Sequence, residues 1–122
     1  MASPPSPPEF IYKIASASAW RDFAATGRFA GMPIDIKDGY VHFSTAAQLA
    51  ETLRLHFAGQ SDLVIFAVRT RDLGAALRWE PSRGGQLFPH LYGTLTTASL
   101  GEVADCVAVA ADGGVILPGW VR

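Results

Sequence analysis

Two short stretches place histidine and tyrosine at strand spacing, and chemistry is most legible there. In Tyr40-Val-His-Phe-Ser44 the two-residue period of a strand sets Tyr40, His42 and Ser44 on one face and Val41 and Phe43 on the other. The apolar pair is expected to face a core, leaving a Tyr/His/Ser row for a cleft or for solvent. An imidazole titrates near neutrality, so His42 can orient a ligand hydroxyl or serve as a general base. The plainer reading is a hydrogen-bonded sheet histidine. Phe88-Pro-His-Leu-Tyr-Gly93 repeats the pattern, with His90 and Tyr92 on one face and Leu91 turned away. The chain has only three histidines, so two such rows are expected to meet. The competing reading is an edge strand carrying amphipathic side chains.

A third stretch, Leu77-Arg-Trp-Glu-Pro81, sets a tryptophan between opposite charges. Glu80 has the chemistry to stabilise an oxocarbenium-like centre, and Arg78 can hold a phosphate through two parallel hydrogen bonds. Trp79 can stack on a ligand ring; equally, it can plug the core beside a surface Arg–Glu pair. Lys13 lies between Tyr12 and Ile14 and is expected either to snorkel to solvent or to contact a phosphate or ribose. His56 falls outside the apolar stripe of its helix and reads as solvated or as a complement to the helix C-terminal dipole. Two histidines and a carboxylate are a legitimate metal set, yet no His-x-His or His-x-x-x-His spacing supports one, so no metal is expected. No Gly-x-Ser-x-Gly elbow, Gly-x-Gly-x-x-Gly loop or Walker loop is present either.

The elements that must carry these groups follow from periodicity and punctuation. Phe10–Ile14 reads as a first strand. A helix follows, with Ser16 or Ser18 as N-cap, Gly27 as stop, and Trp20, Phe23 and Ala24 inward. Residues 28–39 hold turn formers and read as a surface loop. Thr45 opens a second helix with Gln48 three positions on. Ala46, Leu49, Ala50, Leu53 and Phe57 form its inward stripe, and Gly59 ends it. Leu63–Val68 is continuously apolar, as a strand buried on both faces requires. Leu73–Leu77 can form a helical turn. Residues 86–92 return as a strand whose Pro89 is expected at an edge or bulge. Strands at 102–109 and 115–117 would flank a hairpin turn at 111–114. Two helices in the N-terminal half followed by several strands indicate an α+β domain over residues 10–122, after a Pro-rich tail over residues 1–9.

Bulk properties narrow the partners. A net charge of −1 without a Lys/Arg stripe gives no purchase on duplex nucleic acid or an anionic membrane, but it leaves room for one nucleotide-sized ligand. No apolar run approaches spanning length, and the N-terminus lacks a signal-peptide pattern. The single Cys106, in an apolar strand-like run, reads as a small buried hydrophobe, and this cysteine usage fits a reducing cytoplasm.

Five blocks taken together resemble a mainly bacterial family known as domain of unknown function 952. They are Ile11-Tyr-Lys-Ile14, Asp38-Gly-Tyr-Val-His-Phe-Ser-Thr45, His56-Phe-Ala-Gly-Gln-Ser-Asp-Leu63, Leu77-Arg-Trp-Glu80 and Phe88-Pro-His-Leu-Tyr-Gly93. The resemblance implies a fold similar to the ADP-ribosyltransferases, a split, curved sheet that grips NAD between its halves. It places Lys13 at the first-strand contact, His42 with Ser44 and Thr45 at the second-strand pocket, and Glu80 or His90 at the third position. Arg78, Trp79 and Tyr92 would be further ligand contacts. The chain departs from that superfamily in having Lys13 where some sibling members and other transferases of the fold carry His, and in lacking a Glu-x-Glu pair. Three functions stay open: an NAD- or nucleotide-using ADP-ribosyl-transfer enzyme, a non-catalytic nucleotide or metabolite sensor, and a partner-binding domain.

Overall fold

The continuous apolar run and its neighbours assemble around a buried strand. The computed structural model describes residues 7–122, so the tail reading for residues 1–6 lies outside the described residues. In chain order the elements are β1 (Phe10–Ser16), α1 (Ala17–Thr26), α2 (Pro33–Asp38), β2 (Val41–His42), α3 (Ala46–His56), β3 (Leu63–Arg69), β4 (Leu77–Pro81), β5 (Leu87–Leu91) and β6 (Leu100–Val107). Short 3₁₀ turns cover Thr70–Ala76, Arg83–Gly85 and Thr97–Ser99. The architecture is α+β, with two antiparallel three-stranded sheets ordered β1-β3-β6 and β2-β5-β4. Tyr12 and Ser44 link them, exchanging backbone hydrogen bonds of 2.8 and 2.9 Å.

In the first sheet β1 and β3 are buried on both faces, while β6 forms a largely exposed edge. Ile11, Ala15, Val64, Phe66 and Val68 point toward α1 and the second sheet, where Val41, Leu77, Trp79 and Leu91 complete one core. Tyr12, Ile14, Leu63 and Ile65 point the other way, onto Leu49 and Leu53 of α3. Local signals set the helices as read: the Ser16 hydroxyl caps α1 by accepting from Ala19 N–H, and Gly27 stops it at φ 79°, a left-handed angle that glycine adopts freely. At α3, the Thr45 N–H donates to the Gln48 side chain at 3.0 Å, one half of a capping box.

Four expectations are corrected. Residues 28–39 are not all loop: Pro33 occupies the first turn of α2, and the Asp35 carboxylate accepts from Met32 N–H. Pro89 stands in the central strand of its sheet rather than at an edge. Its carbonyl accepts from Phe43 N–H just past the two-residue β2, so its missing donor points to that side and costs the β4 ladder nothing. A turn forms at residues 110–114, but no strand follows it; Val115 and Leu117 pack irregularly against the second core. Cys106 is exposed with φ 55°, because the β3–β6 register gains a residue between Ala104 and Val107 and turns it outward.

Candidate functional site

Strand alternation brings the two histidine rows together as their spacing indicates. His42 on β2 and His90 on β5 are Cα partners across the ladder, and His90 is likewise paired with Arg78 on β4. Val41, Leu91, Leu77 and Trp79 take the opposite face, into the core. The imidazoles of His42 and His90 lie 5.4 Å apart, edge to face. Both line a cleft of about 400 Å³ that runs from β1 past Ser44 to α3 and the β4–β5 turn. That volume is in the range of small-ligand sites.

The two rings are held in different states. The His90 Nδ1 faces Glu80 Oε1 at 2.8 Å, and a carboxylate can only accept, so Nδ1 carries the hydrogen and Nε2 keeps its lone pair. Among the described residues nothing is hydrogen-bonded to that Nε2. Burial pushes His90 below its ordinary pKa, the Glu80 contact opposes this, and charge on His42 adds to the depression. Glu80 in turn sits below the usual carboxylate range, because Tyr92 OH donates to the same Oε1 at 2.7 Å and His90 donates beside it. The result is a neutral imidazole with one fixed tautomer and a basic nitrogen free.

His42 is clamped between acids. Its Nδ1 is 2.7 Å from Asp35 Oδ1 and its Nε2 is 2.9 Å from Asp38 Oδ2. Satisfying both carboxylates takes a donor on each nitrogen, which only the imidazolium has. Asp35 is the hub: it also receives His42 N–H at 3.0 Å and the Lys13 ammonium at 2.9 Å, and it is 4% exposed. Burial alone would raise its pKa; the His42 and Lys13 contacts outweigh that and hold it at about 2. Lys13 is as buried as its partner, and desolvation lowers its pKa against the pull of Asp35. Tyr40 covers the pair, its ring centroid 4.6 Å from His42, 4.3 Å from His90 and 5.0 Å from Tyr92. Burial, with Asp38 and Glu80 nearby, raises the Tyr40 pKa and keeps its phenol protonated.

The structure sorts the remaining candidates by position. Ser44 is buried on the cleft wall, its hydroxyl donating to Thr52 Oγ1 at 3.2 Å. Lys13 also borders the cleft, but it is neutralised by Asp35 rather than snorkelling. Thr45 serves the α3 cap through its backbone and does not line the cleft. Trp79 is a core side chain, 4% exposed, pointing away from the histidines. Arg78 and Tyr92 lie at the outer end of the same sheet face, with the guanidinium carbon 4.4 Å from the Tyr92 ring centroid, and neither lines the cleft. Glu80 stands behind His90, spending an oxygen on two donors. Cleft residues not singled out from sequence include Asp38, Thr52 and Arg83, with Asp35 behind His42. His56, read as solvated, is exposed at the rim of the same cleft, so all three histidines border it. Among the described residues no group of three or more His, Cys, Asp or Glu is arranged to hold a metal ion.

The family described as Protein of unknown function (DUF952) matches residues 14–103, which span both histidine rows. The chain belongs to that family. This DUF952 chain is similar to the crystal structure of protein CC0527 from Caulobacter crescentus, with 43% identity and a TM-score of 0.81 over 88% of this chain and 93% of that one. The solution structure of CC0527 is similar at 44% identity and a TM-score of 0.75, over 86% and 90% of the two chains. No curated protein matches this DUF952 member. Among its described residues no helix is long and apolar enough to cross a membrane.

Proposed function

We propose that this DUF952 chain is an enzyme of the ADP-ribosyl-transfer type, with NAD or a related nucleotide as substrate in the His42/His90 cleft. The observation that carries the reading is the Glu80–His90 dyad opening its free Nε2 onto a cleft of nucleotide scale. The bridge between Tyr12 and Ser44, with the sheets parting beside it, fits the split sheet of the ADP-ribosyltransferase fold. In this account His90 Nε2 takes the proton of an acceptor hydroxyl as its oxygen bonds the ribose anomeric carbon. The carbon–nitrogen bond to nicotinamide breaks, and the leaving group departs with the bonding pair. Asp38 lines the cleft, with His42 on its Oδ2, and faces the positive charge that develops on the sugar, whereas Glu80 stands behind His90 and does not line the cleft.

A second reading rests on His42. Both its nitrogens are tied to carboxylates, which suits a rigid recognition group better than a proton shuttle. On that reading the cleft reads a nucleotide without consuming it. Incubation with NAD, following nicotinamide release alongside thermal shift, separates the two. Release that is lost in His90→Asn supports the enzyme. A thermal shift with NAD left intact supports the sensor, and a ligand at about 100 times its Kd would add about 2.7 kcal/mol. Neither response, in a folded protein, removes the nucleotide reading.

A further inference from the structure

Of the two cations that the sequence offers to a phosphate, Arg78 lies outside the cleft and Lys13 is neutralised inside it. A different guanidinium fills the position. Arg83 sits at the turn joining β4 to β5, half-buried on the cleft wall. Its plane is fixed twice: the guanidinium carbon lies 4.9 Å from the Phe88 ring centroid, and Nη1 donates to Thr52 Oγ1 at 3.2 Å. Among the described residues no carboxylate pairs with it, and its Nε and Nη2 donors make no protein hydrogen bond. A rigid fork with open donors beside hydroxyls is what a phosphate requires.

The surroundings make this position a built one. Gly84 and Gly85 take φ of 65° and 77°, left-handed angles that let the turn close at the cleft mouth. The turn is tied to α3 by Gln48, whose Nε2 donates to Leu87 carbonyl at 2.9 Å. Ser82 brings a hydroxyl to the same end of the cleft, Thr52 donates to the Gln48 carbonyl at 3.1 Å while accepting from Arg83, and His56 stands at the rim. Asp38 is the one acid lining the cleft among the described residues, and it is engaged with His42 at the other end. Phe88 and His90 are two residues apart on one strand face, about 6.6 Å along β5. That is roughly the span of a pentose.

We infer that Arg83, oriented by Thr52 and flanked by Ser82, forms a phosphate subsite that admits the 5′-phosphate or diphosphate of a nucleotide and sets its ribose against His90. The inference deepens the nucleotide reading above and rests on it for the ribose placement, while phosphate capture stands by itself. Calorimetric titration of the full chain with inorganic pyrophosphate, ADP-ribose and adenosine tests it, on wild type, Arg83→Ala, Arg83→Lys and Thr52→Val. Arg78→Ala serves as the charge-matched control outside the cleft. Pyrophosphate and ADP-ribose should bind wild type and Arg78→Ala alike, and should lose about 10–100-fold in affinity in Arg83→Ala. Arg83→Lys should recover only part of that loss, since lysine lacks the planar fork. Equal binding by wild type and Arg83→Ala overturns the subsite, as does an equal loss in Arg78→Ala, which would mark a diffuse charge effect. Adenosine binding without pyrophosphate binding overturns it too while leaving the nucleotide reading intact. Arg83-dependent pyrophosphate binding with no response to NAD keeps the subsite and removes that reading.

Discussion

His42 and His90 are direct partners across the β2–β5 ladder, yet acids engage both ring nitrogens of the first and only one of the second. Asp35 and Asp38 give His42 an acceptor at each ring nitrogen, whereas Glu80 occupies one nitrogen of His90 and leaves the other free. Two like groups 5.4 Å apart with environments that push them apart form the arrangement from which acid and base roles are drawn.

The Glu80–His90 contact should appear in rate rather than in binding. Glu80→Gln removes the carboxylate that fixes the tautomer, so NAD turnover should fall about 10²–10⁴-fold, with KM changed by less than about threefold. Steady-state kinetics on the variant checks this. A KM rise at constant kcat would instead make Glu80 a binding group.

The pH dependence follows from His90. Its pKa is depressed in the folded protein, so the unfolded chain binds more protons between the two values, and stability falls as pH drops below about 6.5. The acidic limb of kcat/KM should likewise lie below that value. Tyr40→Ala uncovers the ring and should move the limb upward, whereas Tyr40→Phe keeps the stack and should leave it in place. Profiles of the three proteins decide the matter.

Asp35 should be the costliest single change in the site. Asp35→Asn leaves the Lys13 ammonium buried without its counter-charge, a loss of about 3–5 kcal/mol. For a domain of this size that lowers Tm by more than about 10 °C. In the wild type, a folded pKa near 2 against an ordinary 3.8 gives Asp35 stabilisation that is complete above pH 4 and lost as pH falls toward 2, roughly 2 kcal/mol in all. Lys13→Met combined with Asp35→Leu should recover much of the loss, because neither charge is then stranded. Chemical denaturation of single and double variants measures both effects.

How far the sequence discloses this site can be argued from individual residues. Period-two alternation is a local property, so it places His42, His90 and Glu80 on one face and sends Val41, Leu91 and Trp79 to the core. Alternation says nothing of where along a sheet face a cleft opens, so Arg78, paired with His90, reads as ligand-facing although it lies outside the cleft. Lys13 reads from sequence as snorkelling or as a phosphate contact, and not as half of an ion pair, because its partner Asp35 lies 22 positions away in a helix of six residues, too short to show a period. The Pro33 and Asp35 pair at that helix start was the available signal. Arg83 hid in a glycine-rich turn, a composition that reports backbone geometry and not what the turn reaches.

Trp79→Ala separates the core from the cleft. It should cost about 3–5 kcal/mol through the cavity it leaves, while nucleotide affinity, measured below the lowered transition, stays within about threefold. A specific loss of affinity with little loss of stability would return Trp79 to the ligand.

The central claim is that a nucleotide binds where the two histidines meet, with His90 Nε2 unprotonated. The most direct test is ¹⁵N NMR of the imidazole rings at pH 7 during titration with ADP-ribose. The account predicts a hydrogen on His90 Nδ1, a free lone pair on Nε2, hydrogens on both nitrogens of His42, and saturable shifts of both rings with added ligand. A folded protein whose His42 and His90 signals stay fixed at millimolar ADP-ribose, or whose His90 carries its hydrogen on Nε2, would contradict it.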